Sequence, residues 1–140
     1  MIRTNPSSTV VLVVEDDVLL RMETVETLED EGFEVIETGT ADEAIGILEA
    51  RRDIAVIVSD IQMPGALDGI QLARAVRDRW PPIDLILTSG RPDVRPQDIP
   101  ERALFFAKPV SPDEIVRAIK QFTANPIMAA RHDAAGDSPA

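Results

Sequence analysis

Residues 54–65 read IAVIVSDIQMPG, and this stretch decides how the rest of the chain is interpreted. It begins with five apolar residues, Ile54–Val58, and reaches an acid, Asp60, two positions later. Short runs rich in Val and Ile without strict alternation are typical of strands covered on both faces, as in a parallel sheet. The Met-Pro-Gly tripeptide that follows has turn chemistry and does not start a helix. The stretch therefore predicts a buried strand that carries a carboxylate at its end.

Four other apolar runs have a similar length and composition: Val10–Val14, Phe33–Ile36, Ile83–Leu87 and Ala103–Ala107. Most segments between these runs carry apolar residues at helical spacing. The exception is Arg91–Arg102, where three prolines allow one short turn at most. Strands that alternate with helices predict an α/β fold with a doubly wound, five-stranded parallel sheet, in which the fourth helix is short or irregular.

The helices themselves are predicted from apolar stripes and capping residues. The first helix has apolar residues at intervals of three and four, namely Val18, Met22, Val25 and Leu28. This spacing assigns Met22 to the core. A capping box, Thr40–Glu43, precedes the second helix, and Ser111 followed by a proline precedes the last. The third and last helices have similar stripes: Ile70, Ala73 and Val76, then Ile115, Ile119 and Phe122.

Composition bounds the function. The 140 residues fit one domain, predicted over residues 10–124, with residues 1–9 and 125–140 expected to be disordered. The absence of cysteine excludes disulfides and thiolate metal sites. A net charge of −11 argues against a nucleic-acid partner. No segment approaches the roughly 18 apolar residues of a membrane span, and no signal-peptide pattern is present, so a cytoplasmic protein without a membrane partner is expected.

Polar residues follow four of the predicted strands where each strand ends: Glu15-Asp16-Asp17, Ser59-Asp60, Thr88-Ser89-Gly90 and Lys108-Pro109. Each residue alone has a simpler explanation as a helix cap, a turn residue or a solvated charge. Ligands of doubly wound sheets, however, bind outside the carboxyl ends of the strands, so all four groups would face one crevice.

The chemistry of this crevice is consistent. Clustered carboxylates raise one another's pKa and favour a bound cation. Oxygen ligands without His or Cys suit a hard divalent ion, and a few carboxylates with water suit Mg²⁺ better than Ca²⁺. A carboxylate beside Mg²⁺, with an amine and a hydroxyl within reach, predicts phosphoryl transfer.

The ordered pieces VVLVVEDD, IVSDIQMPG…DG, LILTSG and FFAKP resemble the receiver domain of response regulators in two-component signalling. The resemblance runs from about Val10 to Thr123. It implies the flavodoxin-like strand order 2-1-3-4-5. It also implies that Asp60 accepts a phosphoryl group from a sensor histidine kinase or a phosphotransfer protein.

The resemblance further implies a magnesium site. Asp16 would bind Mg²⁺ directly, Glu15 mostly through water, and Gln62 through its backbone carbonyl, together with the acceptor Asp60. Asp17 would be an extra acid that caps the first helix, although a register error of one residue would exchange these roles.

The remaining site residues also follow from the resemblance. Thr88 resembles the switch hydroxyl, and Lys108 the amine that contacts the phosphoryl group. Pro109 resembles a proline preceded by a cis bond. Phe105, three residues before the lysine, resembles the aromatic residue that changes rotamer on activation, whereas Phe106 is expected in the core.

Two departures from the family pattern are visible. The loop Gly65–Gly69 is one residue longer than usual. The proline-rich Arg91–Arg102 replaces most of the fourth helix, which helps to form the family's output and dimerisation face, so a standard dimer is in doubt.

The expected protein is therefore a signalling switch rather than a metabolic enzyme, with Mg²⁺-dependent self-phosphorylation from small phosphodonors and self-dephosphorylation. Output is expected through a partner protein, because no output domain fits after Thr123. One alternative is a receiver-like docking module that no longer switches. A haloacid-dehalogenase-type phosphatase would need a second aspartate where Gln62 stands. A flavodoxin-like cofactor binder would need a phosphate loop where three acids follow the first strand.

Overall fold

Five parallel strands form one sheet in the order β2-β1-β3-β4-β5, so the predicted fold class and strand order are confirmed. The computed structural model describes residues 9–63, 65 and 67–124. The disorder expected at both ends of the chain concerns residues that lie almost entirely outside this part. The described elements are β1 (Val10–Val14), α1 (Val18–Asp30), β2 (Glu34–Thr38), α2 (Ala41–Ala50), β3 (Ile54–Asp60), α3 (Gly69–Arg79), β4 (Asp84–Ser89), β5 (Ala103–Ala107) and α4 (Pro112–Ala124).

The sheet separates two apolar clusters. Helices α2 and α3 cover one face, where Leu48 and Leu72 pack against Leu12 and Ile57. Helices α1 and α4 cover the other face through residues such as Leu28 and Ile119. Because β1, β3 and β4 lie inside the sheet with both faces covered, their sequences are continuous apolar runs rather than alternating patterns.

Side chains cap the helices at the positions that the sequence predicts. Asp17 caps α1, and its Oδ1 accepts a hydrogen bond of 3.0 Å from the backbone N–H of Leu20. Thr40 accepts one from the N–H of Glu43 at the start of α2. A further cap, Asp68 at α3, aligns the first turn of that helix beside the end of β3.

The apolar stripe of α1 is only half buried. Val25 and Leu28 lie in the core, whereas Val18 and Met22 are 55% and 58% exposed. The predicted core position of Met22 is therefore wrong. The spacing gives the correct face of the helix, but only its second half lies over the sheet and α4. Its first half stands at the carboxyl edge of the sheet, where Leu19 and Leu20 are also exposed.

The segment 91–102 contains no α-helix, as its prolines predict, and only a short 3-10 turn at Pro96–Asp98. Val94 and Ile99 pack against the core from this segment. Arg77 of α3 fixes the carboxyl-terminal end of this segment by donating to the backbone carbonyls of Glu101 and Arg102. The same guanidinium donates to the carbonyls of Pro81 and Ile83, which lie just before β4.

Within the described residues, no helix has the length and apolar character that crossing a membrane requires.

Candidate functional site

Three acids meet at the carboxyl edge of the sheet. Glu15 and Asp16 directly follow β1, and Asp60 ends the neighbouring strand β3. One carboxylate oxygen from each lies within 4.8 Å of the others. Asp60 is buried, Glu15 is nearly so, and Asp16 is exposed, so the cluster opens to solvent on one side.

Asp60 is held by contacts to both of its carboxylate oxygens. Its Oδ2 accepts a hydrogen bond of 3.0 Å from the ammonium of Lys108. Its Oδ1 accepts one of 3.1 Å from the backbone N–H of Gln62. The chain just after Asp60 is fixed to β4, because the N–H of Ile61 donates to the carbonyl of Thr88 at 2.8 Å. The carboxylate therefore has a defined orientation.

Glu15 lies between Asp60 and the start of α1. Its Oε2 accepts from the backbone N–H of Asp17 at 3.1 Å, and its Oε1 is 3.5 Å from the ammonium of Lys108. Burial raises the pKa of Glu15, and the charges of Asp60 and Asp16 raise it further. The hydrogen bond from Asp17 and the charge of Lys108 lower it, but the net shift is upward. The site therefore holds more negative charge than its own cation neutralises.

Among the described residues, Lys108 is the single cation that pairs with the carboxylates of this cluster. Partial burial alone would lower the pKa of Lys108, but the hydrogen bond and charge of Asp60, with a smaller contribution from Glu15, raise it. Its backbone N–H donates to the carbonyl of Ser89 at 2.8 Å, which ties the end of β5 to the end of β4. The bond between Lys108 and Pro109 is cis.

A cavity of about 730 Å³ leads to these groups between α1 and the start of α4. Its polar lining includes Glu15, Asp60, Thr88 and Lys108, and Leu20 of α1 forms part of its apolar wall. The carboxylate of Asp60 is thus accessible from the side on which the first turns of α1 are exposed.

The other residues singled out in the sequence lie around this centre. Asp17 is engaged in capping α1 and is not one of the three clustered acids. Thr88 is buried beside Asp60, since the two residues are partners in the register of β3 and β4. Phe105 is 37% exposed on β5, opposite Leu87, whereas Phe106 packs against the core as expected.

Two contacts of the site were not anticipated from the sequence. The first is the hydrogen bond that the backbone N–H of Gln62 donates to the carboxylate of Asp60. The buried hydroxyl of Ser89 accepts a hydrogen bond of 3.0 Å from the N–H of Arg91, at the start of the proline-rich segment. A serine at the end of an apolar run was the available signal for the second contact.

The donor set fits a hard divalent cation. Three carboxylates face one ammonium, and within the described residues the cluster includes neither His nor Cys. Oxygen donors of this kind, with one side open to water, suit Mg²⁺, which keeps several water ligands.

Comparison with known proteins defines the class. A family model described as the response regulator receiver domain matches residues 11–120, and the chain belongs to this family of two-component signalling proteins. The fold agrees with a solved response regulator receiver protein from Sinorhizobium medicae, with a TM-score of 0.78 at 24% identity over 84% of this chain and 95% of that one. The receiver domain of the hybrid histidine kinase CckA gives a TM-score of 0.67 at 27% identity over 80% of this chain and 96% of that domain.

Curated relatives are longer proteins. The hydrogenase transcriptional regulatory protein HoxA of Cupriavidus necator is 36% identical over 115 residues, which are 79% of this chain and 23% of HoxA. The sensor kinase CckA of Brucella abortus is 34% identical over 118 residues, 81% of this chain and 12% of CckA. The transcriptional regulatory protein PdtaR of Mycobacterium tuberculosis is 33% identical over 114 residues, and the match covers 79% of this chain and 54% of PdtaR. The chain thus spans from about an eighth to about half of the length of these relatives.

Proposed function

We propose that this chain is a phosphorylatable switch in which Asp60 accepts a phosphoryl group from a sensor histidine kinase or a phosphotransfer protein. The observation that carries the proposal is the buried carboxylate of Asp60, 3.0 Å from the Lys108 ammonium and clustered with Glu15 and Asp16 at an open cavity. The proposed setting is the cytoplasm. A docking module that does not switch would have no need for this cluster of mutually repelling charges.

In the proposed step, a carboxylate oxygen of Asp60 attacks the phosphorus of a phosphohistidine. The new P–O bond forms as the P–N bond breaks, and the departing imidazole nitrogen takes up a proton from solvent. The ammonium of Lys108 balances charge on the phosphoryl oxygens, and the hydroxyl of Thr88 offers them a hydrogen bond. Mg²⁺, held by Glu15, Asp16, Asp60 and the Gln62 carbonyl, would supply further positive charge for the same oxygens.

The product would carry a charge of about −2 at Asp60 in place of −1, and Lys108 and Thr88 would reorient toward it. Movement of Thr88 would free space for Phe105, which lacks a hydroxyl and so signals by packing alone. The equilibrium of the surface around Arg91–Lys108 would shift, and a partner protein would bind the favoured state. Hydrolysis of the acyl phosphate by water would reset the switch.

Leu20 of α1 lines the cavity, and Val18, Leu19 and Met22 are exposed on the same turns of this helix. We propose that the protein that donates the phosphoryl group covers these four apolar residues. Exposed apolar patches of this kind mark protein contacts. A small phosphodonor would reach Asp60 without touching them.

Labelling with acetyl phosphate and Mg²⁺ tests the proposal directly. The wild type should form a base-labile adduct that hydroxylamine cleaves, as expected of an acyl phosphate, and Asp60→Asn should form none. Leu19→Glu should keep labelling by acetyl phosphate but slow transfer from an autophosphorylated histidine kinase. Labelling that survives Asp60→Asn unchanged would refute the assignment of the acceptor.

A further inference from the structure

Arg21 closes the first turn of α1, where its backbone N–H donates to the carbonyl of Asp17 at 2.9 Å, and its side chain is 21% exposed. Its Nη1 donates a hydrogen bond of 2.8 Å to the backbone carbonyl of Glu15. Its Nε donates one of 3.1 Å to the carboxylate of Glu37 on β2. One guanidinium therefore joins the loop after β1 to the neighbouring strand.

The backbone of Glu15 is held from two directions. Its N–H donates to the carbonyl of Thr38 at 3.0 Å, and its carbonyl accepts from Arg21. Gly39 leaves room for this arrangement, because a Cβ at that position would lie 3.1 Å from Nη1 of Arg21. The guanidinium of Arg21 therefore packs beside Gly39 and is held by Glu37 of strand β2.

We propose that Arg21 is a positioning residue for the divalent-cation site, an inference that rests on the proposed function. The carbonyl that Arg21 holds belongs to the peptide that joins Glu15 to Asp16. Fixing that peptide sets the directions in which both carboxylates leave the backbone. Arg21 reaches neither the cation nor the phosphoryl group and acts through Glu15.

The energetic reason is preorganisation. Three carboxylates within 4.8 Å repel one another, and a loop free to move would separate them. A guanidinium bonded to the Glu15 carbonyl resists that separation before the cation arrives. The cation then meets ligands that are already gathered, and less ordering opposes its binding.

A second arginine provides a matched control. Arg51 pairs with Glu34 at 3.4 Å on the same strand β2 and with Asp53 at 2.6 Å. These contacts lie near the amino ends of β2 and β3, at the opposite edge of the sheet from Glu15. Arg51 therefore resembles Arg21 in its ion pair with β2 but has no bond to the site.

The test is a calorimetric titration of the full chain with Mg²⁺ in the absence of phosphodonor. Arg21→Met, which keeps the length of the side chain but removes its donors, should weaken Mg²⁺ binding about tenfold, as loss of an outer-shell partner typically does. Arg51→Met should leave the affinity unchanged. Glu37→Gln, which keeps the bond from Arg21 to Glu15, should also leave it unchanged. At subsaturating Mg²⁺, labelling of Arg21→Met by acetyl phosphate should be slow, and saturating Mg²⁺ should restore it.

Circular dichroism establishes that each variant is folded. If Arg21→Met is unfolded, Arg21→Lys replaces it and should also weaken binding, because an ammonium lacks the planar fork that reaches both acceptors. Equal Mg²⁺ affinity in the wild type and the Arg21 variant would overturn the proposal, as would an equal loss in Arg51→Met. A wild type that binds Mg²⁺ but is not labelled at Asp60 would overturn the proposed acceptor and leave the role of Arg21 standing. A wild type that does not bind Mg²⁺ would overturn both.

Discussion

At the scale of single residues, the position of Asp60 depends on a glycine that is required by space rather than by backbone conformation. Gly69 begins α3, and its N–H donates to the carbonyl of Ile61 at 2.8 Å. A Cβ built on Gly69 would lie 2.2 Å from the carbonyl oxygen of Asp60 and 2.6 Å from Cα of Ile61. The first turn of α3 therefore lies directly against the backbone of Asp60.

Gly69→Ala should displace either the start of α3 or the end of β3, since backbone atoms cannot move aside as a flexible side chain does. We expect a loss of about 1–3 kcal/mol in the free energy of unfolding, the usual range for overpacking, and slower labelling of Asp60 by acetyl phosphate. Urea unfolding and initial labelling rates measure the two effects.

Gly46 is the control for this substitution. It lies in the middle of α2, and a Cβ there would meet nothing within 4 Å. Gly46→Ala should stabilise the fold by roughly 0.5–1 kcal/mol through helix propensity and leave labelling unchanged. If both variants behaved alike, the contact of Gly69 with Asp60 would have no consequence.

The sequence predicts residues that follow strands better than residues that act between elements. Asp60 and Lys108 are identifiable because Asp60 comes two positions after one apolar run and Lys108 comes directly after another. The sequence indicates neither the close contact of Gly69 nor the role of Arg21, because both depend on which backbone atoms these residues meet in space. Spacing along the chain carries no information about such contacts.

At the scale of elements, the segment between β4 and β5 shows how the fold manages without a full fourth helix. A helix would satisfy its own carbonyls, whereas an irregular segment needs other donors. Arg77 provides them, with bonds of 2.7 Å to Glu101 and 2.9 Å to Arg102. The same guanidinium donates to the carbonyls of Pro81 at 2.7 Å and Ile83 at 3.0 Å, so it connects the starts of β4 and β5 to α3.

Arg77→Lys should therefore be destabilising although it keeps the charge. One ammonium cannot replace a planar fork that serves four carbonyls, and hydrogen bonds from charged donors contribute about 1.5–3 kcal/mol each at most. We expect a loss of about 2 kcal/mol in the free energy of unfolding, with faster amide exchange at the start of β5. Hydrogen exchange and urea unfolding measure these effects.

Arg79→Lys, on the same helix, separates this role from a general effect of losing an arginine. Arg79 pairs with Glu49 and stacks on Trp80 at the surface. Its replacement should cost less than about 1 kcal/mol, as is usual for exposed pairs. Equal destabilisation in the two variants would contradict the role assigned to Arg77.

Elements were predicted with uneven success for a physical reason. Proline removes a donor and fixes φ, so the absence of a helix in segment 91–102 follows from local chemistry. The exposure of Met22 does not follow from local chemistry. A stripe at helical spacing gives the face of a helix that turns toward the core, but it does not show how far the sheet extends beneath that face. Half of α1 lies beyond that limit.

At the scale of the whole molecule, the fold holds an unfavourable arrangement of charge at one edge. The chain carries a net charge of −11, and the site brings three carboxylates close together with only one ammonium beside them. Burial is the largest cause of the raised pKa of Glu15, so its ionised form is disfavoured in the folded, metal-free protein. Ionisation of Glu15 thus opposes folding until a cation compensates.

The sign of the pH dependence follows. A glutamate whose pKa is higher in the folded than in the unfolded state stabilises the fold fully below its unfolded pKa, near 4.5, and that stability is lost as the pH rises through the folded value. Lys108 has a raised pKa as well, so the stability it contributes is lost only at alkaline pH, above its ordinary value of 10.5. Of Glu15 and Lys108, therefore, only Glu15 makes the stability of the fold depend on pH between mildly acidic and neutral conditions.

Glu15→Gln should therefore melt at a higher temperature than the wild type at pH 7 without metal, because the amide can still accept from Asp17 while carrying no charge. The difference should shrink on acidification below pH 4.5, where Glu15 is protonated in both states.

Mg²⁺ should reverse the order of the two melting temperatures, so that the wild type melts higher than Glu15→Gln. A ligand at 100 times its Kd stabilises a folded protein by about 2.7 kcal/mol, and the variant, which lacks one carboxylate, should gain less. Thermal melting of both proteins from pH 4 to pH 8, with EDTA and then with Mg²⁺, measures all three effects. Two results would contradict this role of Glu15: a variant that melts at a lower temperature than the wild type without metal, or one whose melting temperature Mg²⁺ raises by as much as that of the wild type.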